Sequence, residues 1–201
     1  MFLQSPPKLV LASTSRYRRE LLERLGLPFE CHPSGVDEAA RPGEAPSALV
    51  VRLARAKAER VAAEAPDAWV IGSDQIAVLG EPGAERVLGK PGNAARCIEQ
   101  LIDCAGRRVE FLTAVAVVRA RDALSHEFLD RTVVAFRALE RAEIERYVAR
   151  ESPFDCAGGF KCEGLGITLF ESIDNRDPTA LVGLPLIRLA AALRACGYRL
   201  P

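Results

Sequence analysis

The sequence predicts an α/β fold on a mixed sheet. Short Val-, Ile- and Leu-rich runs alternate with longer stretches of helical apolar spacing, and Gly, Pro, Ser and Asp clusters separate them. The alternation is plain from the start, where Leu9 to Ala12 reads as a strand, Ser13-Thr-Ser15 as a hydroxyl-rich turn and Tyr17 to Leu25 as a helix. Pro28 and the run Phe29 to His32 predict a second strand that stops at Pro33-Ser-Gly35, and Val36-Asp-Glu38 then opens a loop. Pro46 to Glu64 is helical in pattern, with Leu49, Val50, Leu53, Ala56 and Val61 on one side. Ala68 to Ile71 reads as a buried strand that breaks at Gly72-Ser-Asp-Gln75 and resumes from Ile76 to Leu79, before a Gly/Pro turn over Gly80 to Gly83. Asn93 can cap a helix that runs to Cys104 and is ended by Gly106.

The second half opens on a β-rich pair, Val109 to Arg119 and Leu124 to Phe136. Leu139 to Arg150 follows as an amphipathic helix, and Asp155 to Gly166 as a loop whose glycines permit close backbone approach. A strand over Ile167 to Phe170, a turn at Asp177-Pro178 and a closing helix from Leu184 to Cys196, ended by Gly197, complete the chain. There is no internal repeat and no Pro/Ser-rich linker, so residues 1–201 are expected to form a single domain.

Lys plus Arg equals Asp plus Glu at 27 each, so no global positive field favours duplex nucleic acid, and any phosphate affinity must be local. The six cysteines form no Cys-x-x-Cys pair, and only His32 and His126 could join them around a metal; reduced thiols are expected. The N-terminal Met1 to Pro7 lacks the basic start and apolar core of a signal peptide, and no apolar run approaches membrane length, so the chain reads as cytoplasmic, with no membrane partner.

Chemistry concentrates in a few places. Ser13, Thr14 and Ser15 precede a helix that opens with Arg16, Arg18 and Arg19, a combination suited to a polyanion; a solvated strand-to-helix connection is the plain alternative. Asp74, placed at the polar break, is the candidate general base, against a turn aspartate bonded to its own backbone. Asp37 and Glu38 offer oxygen ligands of the kind that suit Mg²⁺ or Mn²⁺, against solvated loop surface. Lys57 is deliverable from a helix and Lys90 from the tight Leu88-Gly-Lys-Pro-Gly92 loop, each as a point charge for phosphate; a solvated face is the plain alternative for both. Walker, Rossmann and nucleophile-elbow motifs are absent, and the two histidines lie in unpromising contexts for a Ser-His-Asp site. Acids on loops, lysines on rigid elements and a Ser/Arg cradle together point to metal-assisted phosphoryl chemistry with water as nucleophile.

These residues resemble, over nearly the whole chain, the Maf nucleoside triphosphate pyrophosphatases. Leu11-Ala-Ser-Thr-Ser-Arg-Tyr-Arg-Arg19, Val36-Asp-Glu38, Ala56-Lys-Ala58, Ile71-Gly-Ser-Asp-Gln75, Gly89-Lys-Pro91 and Gly183-Leu-Pro185 occur in that family's order and spacing. The resemblance implies the Maf/Ham1 (ITPase-like) fold, a twisted mixed sheet flanked by helices with two lobes around a central cleft. It also implies a homodimer, a divalent cation, and hydrolysis to a nucleoside monophosphate and pyrophosphate. On that basis Asp74 accepts the proton of water and shares metal binding with Glu38, while Ser13, Arg18, Lys57 and Lys90 contact the triphosphate.

Relatives that take dTTP and UTP usually carry arginine, threonine and glutamine where Tyr17, Gln75 and Glu163 stand, so these three residues resemble the YceF-type branch that hydrolyses 7-methyl-GTP. A positively charged 7-methylguanine suits an aromatic face and a carboxylate, and Glu163 can accept from guanine N1 and N2 hydrogens. Tyr17 also has a reading as first-turn packing, and Glu163 as a partner of nearby glycine N–H groups. Many relatives have proline at Arg16, so its charge is either a phosphate contact or surface, and the Gly80 to Val87 loop looks longer than typical. A dTTP/UTP pyrophosphatase, a nucleotide-binding regulator without turnover and an RNA-binding module are the competing functions.

Overall fold

The computed structural model describes residues 7–80 and 84–201; the remaining residues, on which the readings of the N-terminal segment and of the Gly80 to Val87 loop partly rest, lie outside them. Among the described residues, seven strands and five α-helices follow in the order β1 (Leu9–Leu11), α1 (Arg16–Glu23), β2 (Glu30–Cys31), α2 (Pro46–Ala62), β3 (Trp69–Leu79), β4 (Arg86–Leu88), α3 (Ala94–Cys104), β5 (Arg108–Arg119), β6 (Leu124–Phe136), α4 (Arg141–Glu151), β7 (Phe170–Asp174) and α5 (Leu186–Ala195). The hydrogen-bonded strand order is β2-β1-β3-β5-β6-β7, with β4 paired to β3. β1 runs parallel to both β2 and β3, Leu11 lying opposite Cys31 and Ile71, while β4 and β7 are antiparallel to β3 and β6.

The chain divides into two compact units, one comprising the chain through Asp74 with Thr113–Asp130 and Gly183–Pro201, the other Gln75–Leu112 with Arg131–Val182. In the first, α2 buries Ala58, Val61 and Ala62 among Val10, Val70, Ala116 and Val118; of the apolar stripe read from the sequence, Leu49, Val50, Leu53 and Val61 are buried, whereas Ala56 is only half-buried. In the second, Leu101 of α3 and Ile144, Tyr147 and Val148 of α4 pack around Phe111, Phe136 and Phe160. Phe160 meets Phe111, Phe136 and Phe170 edge-on at centroid distances of 5.3, 5.7 and 4.8 Å, contacts worth about 0.5–1.5 kcal/mol each beyond area burial.

Three expectations are corrected. β3 does not break at Gly72 to Gln75: it is one strand of 11 residues, and Gly72 stands where a Cβ would lie 2.1 Å from the Ala54 carbonyl oxygen and 2.6 Å from the Ala58 nitrogen of α2. The glycine serves a close helix-to-strand approach instead of a turn. Ile167 to Leu169 belongs to a 3₁₀ turn in which the Thr168 hydroxyl donates to the Leu165 carbonyl, and the strand begins at Phe170. Arg86 to Leu88 forms a strand within the stretch read as a loop. Asn93 caps α3 as anticipated, its side chain accepting from the Arg96 N–H at 3.0 Å.

Candidate active site

The parallel register of β1 against β3 carries the turn after Leu11 alongside the Gly72-Ser-Asp74 stretch, and the Ala12 N–H donates to the Ile71 carbonyl at 2.8 Å. In that turn the buried Ser13 accepts the Ser15 N–H at 3.1 Å, and Ser15 caps α1 by accepting from the Arg18 N–H. The first turn of α1 then presents Arg16, Tyr17 and Arg18. Arg18 Nε donates to the Gly183 carbonyl at 3.1 Å, and the Ser73 hydroxyl donates to the same oxygen at 3.0 Å. One backbone carbonyl thus orients a helix-borne arginine against a strand-borne serine. With its Nε committed, Arg18 has its forked terminal nitrogens to offer a phosphate. Gly183 has φ +118, a conformation L side chains rarely adopt.

At the centre of this unit Lys57 Nζ lies 2.7 Å from Asp74 Oδ1 and 2.5 Å from Glu38 Oε1. Lys57 and Asp74 are almost wholly buried, whereas Glu38 is exposed. The loop bearing Glu38 is tied to α2 by Glu44, which accepts both Nε and Nη2 of Arg52 and the Arg41 N–H, while Arg52 Nη2 also donates to the Ala39 carbonyl. Burial pushes the Asp74 carboxyl above its ordinary range; Lys57 and Arg18 oppose that shift and Glu38 adds to it. Burial likewise draws the Arg18 guanidinium down, against the pull of Asp74 and Glu38. A desolvated carboxylate of raised basicity beside two fixed cations can take a proton from water while the cations hold an anion.

Ser13, Arg18, Glu38, Lys57 and Asp74 therefore fall within one unit, although Asp74 arrives from mid-strand instead of the expected turn. Tyr17 is half-buried in the same unit, with the Arg16 guanidinium 4.7 Å from its ring centroid and Arg16 Nη2 donating to its hydroxyl at 2.7 Å. The doubtful Arg16 is thus a partner of Tyr17. Ser73 and Gly183 acquire orienting roles that sequence reasoning missed; in the sequence Gly183 stands out only as part of the Gly-Leu-Pro motif.

Gln75, Lys90 and Glu163 belong to the second unit. The half-buried Gln75 spends its amide donors on the Ala180 and Leu181 carbonyls at 2.9 and 3.1 Å. Lys90 is exposed on a loop held at both ends, where Gln100 Nε2 donates to the Gly89 carbonyl and the Gly92 N–H to the Phe154 carbonyl. Glu163 is exposed in the glycine-dense loop, with the Cys162 thiol 3.5 Å from its Oε2.

Among the described residues no group of three or more His, Cys, Asp or Glu side chains is placed to hold a metal ion. Glu38 and Asp74 nevertheless converge on one cationic nitrogen, and two carboxylates are the donor set Mg²⁺ or Mn²⁺ takes when substrate phosphates supply other ligands. The residues fit such an ion. All six cysteines are unbridged, and among the described residues no helix is long and apolar enough to cross a membrane.

Comparison with known proteins gives concordant results. The family model described as Maf-like protein matches residues 8–196. Proteins named 7-methyl-GTP pyrophosphatase from Alkalilimnicola ehrlichii and Xanthomonas campestris are 56% identical over 194 residues and 54% identical over 195 residues. These alignments cover 96% of this chain and 96% of the first relative, and 97% and 99% for the second. The solved structure of the Staphylococcus aureus Ham1 protein aligns with a TM-score of 0.50 at 16% identity, over 94% of this chain and 98% of that one, a likeness of fold.

Proposed function

The chain belongs to the Maf-like protein family, and from that premise we propose that it hydrolyses 7-methyl-GTP to the nucleoside monophosphate and pyrophosphate. The observation that carries the chemistry is the buried Asp74 carboxylate held against Lys57 Nζ at 2.7 Å in mid-strand. The name borne by the similar proteins supports the substrate.

In the proposed reaction a phosphorus–oxygen bond forms to water as the bond to the oxygen bridging the α and β phosphates breaks. Asp74 takes the proton that water loses. Its raised basicity brings it nearer the pH at which a general base works best. Lys57 keeps the Asp74 carboxylate in place and can pass a hydrogen bond to a phosphate oxygen when substrate enters. Arg18, oriented through its Nε, presents its fork to the triphosphate, and Ser13 and Lys90 add polar and charged contacts. Glu38 with Asp74 would hold a divalent cation, which when bound supplies neutralisation of phosphate charge. Tyr17, Gln75 and Glu163 are proposed to select the base.

The proposal extends to the whole chain acting as one Maf-like domain and as a homodimer, with no nucleic-acid partner. Six unbridged cysteines support a reducing compartment, the cytoplasm.

The test is pyrophosphate release from 7-methyl-GTP, GTP, dTTP and UTP with Mg²⁺ or Mn²⁺. Fastest turnover of the methylated nucleotide is expected; faster turnover of UTP would overturn the substrate, and binding without release under either metal would make the chain a regulator. Asp74→Asn is expected to lower kcat by about 10³-fold while nucleotide binding persists.

A further inference from the structure

The loop that carries Glu163 is gripped at two points by a single residue, the last of α4. The Glu151 carbonyl, one of the C-terminal oxygens that an α-helix leaves without an intrahelical partner, accepts the Lys161 ammonium at 2.7 Å. Its side chain reaches the other side of the same loop, where Glu151 Oε1 accepts the Leu165 N–H at 3.2 Å. Between these anchors the loop has little slack. A Cβ at Gly164 would lie 3.0 Å from Glu151 Oε2, and one at Gly166 only 2.3 Å from the Lys161 carbonyl oxygen. The Lys161 N–H is held in turn by the Tyr147 hydroxyl at 3.0 Å. Glu163, exposed at the crest, is flanked on both sides by residues whose backbone or ammonium is fixed to α4.

We infer that Glu151 is a positioning residue for base selection: it fixes the Lys161 to Leu165 crest so that the Glu163 carboxylate is held ready for the base. This rests on the proposed function for what Glu163 recognises, but not for the clamp itself. The Lys161 charge is spent on the helix end. A carboxylate at the end of the crest would otherwise wander, and a carboxylate that has to be ordered on binding loses part of what its contact contributes.

The experiment pairs amide hydrogen exchange with kinetics on the full chain. In Glu151→Ala the Leu165 amide is expected to exchange at least about tenfold faster than in the wild type, whereas Glu151→Gln, which retains a side-chain carbonyl acceptor, preserves its protection. Glu151→Asp keeps the charge but withdraws it by one methylene, and is expected to behave as the alanine variant should the latter fold poorly. In turnover, Glu151→Ala is expected to raise KM for 7-methyl-GTP about fivefold with kcat within about twofold, to leave UTP unaffected, and to be rescued by glutamine. Because Glu151 acts through Glu163, the double variant Glu151→Ala, Glu163→Ala should lose no more discrimination than Glu163→Ala alone. Unchanged Leu165 exchange in both the Ala and Asp variants, parallel losses on every nucleotide, or multiplying losses in the double variant would overturn the assignment. A wild-type enzyme with no preference for 7-methyl-GTP would overturn the proposed substrate instead, and the exchange measurement would still judge the clamp.

Discussion

Lys57 is the residue on which the first unit's charges turn. It touches Asp74 at 2.7 Å and Glu38 at 2.5 Å, so its single charge faces two carboxylates, with Arg18 supplying the balancing cation. Lys57→Met would remove a force that lowers the Asp74 titration and leave the two forces that raise it, burial and Glu38. The direction is therefore upward: in metal-free protein the Asp74 carboxyl, followed by NMR, should titrate higher in the variant than in the wild type. A buried carboxylate stripped of its partner costs on the order of 3 kcal/mol, part of which protonation of Asp74 relieves, and urea unfolding at neutral pH reads that loss. An unchanged or lower titration would show that Lys57 does not govern the base. Glu163 gives a second residue-scale prediction. Glu163→Gln replaces one acceptor oxygen by a donor, so the ratio of kcat/KM for 7-methyl-GTP over UTP should fall about tenfold, with the UTP value nearly constant. Equal losses on both nucleotides would assign Glu163 to structure.

The pairing of α2 with β3 is the element-scale device that brings Lys57 to Asp74. Gly72 lets the helix backbone descend onto the strand, since any Cβ there would meet the Ala54 carbonyl and the Ala58 nitrogen far inside contact distance. Both are backbone atoms, so no side-chain rotation relieves the clash. Gly72→Ala should destabilise the protein by about 3 kcal/mol or more, read as a lower urea midpoint, and should cut activity by forcing apart the elements that carry Lys57 and Asp74. An activity unchanged in the folded variant would mean that the two elements tolerate separation. The same glycine marks the limit of what the sequence reveals. A Gly-Ser-Asp-Gln string inside an apolar run signals either a turn or a strand that something approaches closely, and local pattern does not distinguish them. The turn reading puts Asp74 at a sheet break, whereas the structure holds it in mid-strand against Lys57; a carboxylate amid Val and Ile needs a reason under either geometry. Ser73 and Gly183 were harder: the Gly183 carbonyl accepts from both Arg18 and Ser73 across more than a hundred residues of sequence, and no local spacing encodes it.

At the scale of the whole molecule, periodicity located nearly every element, because helices and strands each bury one face and write that face into the sequence. It misplaced β7 by mistaking a 3₁₀ turn for a strand and missed the short β4, since three residues are too few to show a period. Charge behaves differently, since ion pairs leave no periodic trace, and it is through them that the fold responds to acid. Glu44 is held down to about 2 by its Arg52 hydrogen bonds first and the Arg41 N–H second, from an ordinary 4.5. Glu30, Asp122 and Glu143 are also lowered, and Asp74 runs the other way. A carboxyl lowered on folding binds fewer protons in the native state, so its stabilisation is fully present above the unfolded value and is lost as pH falls through the folded one. For Glu44 that window runs from about 4.5 down to about 2. Glu44→Gln removes the titrating group together with its charge on Arg52. The variant should be less stable than the wild type at pH 7, by the same margin down to about pH 5, and the two stabilities should converge toward about pH 2. Urea unfolding across that range measures the gap directly. A gap that stayed constant into acid would mean that Glu44 acts only through packing, and that another of the lowered carboxyls sets the acid limb.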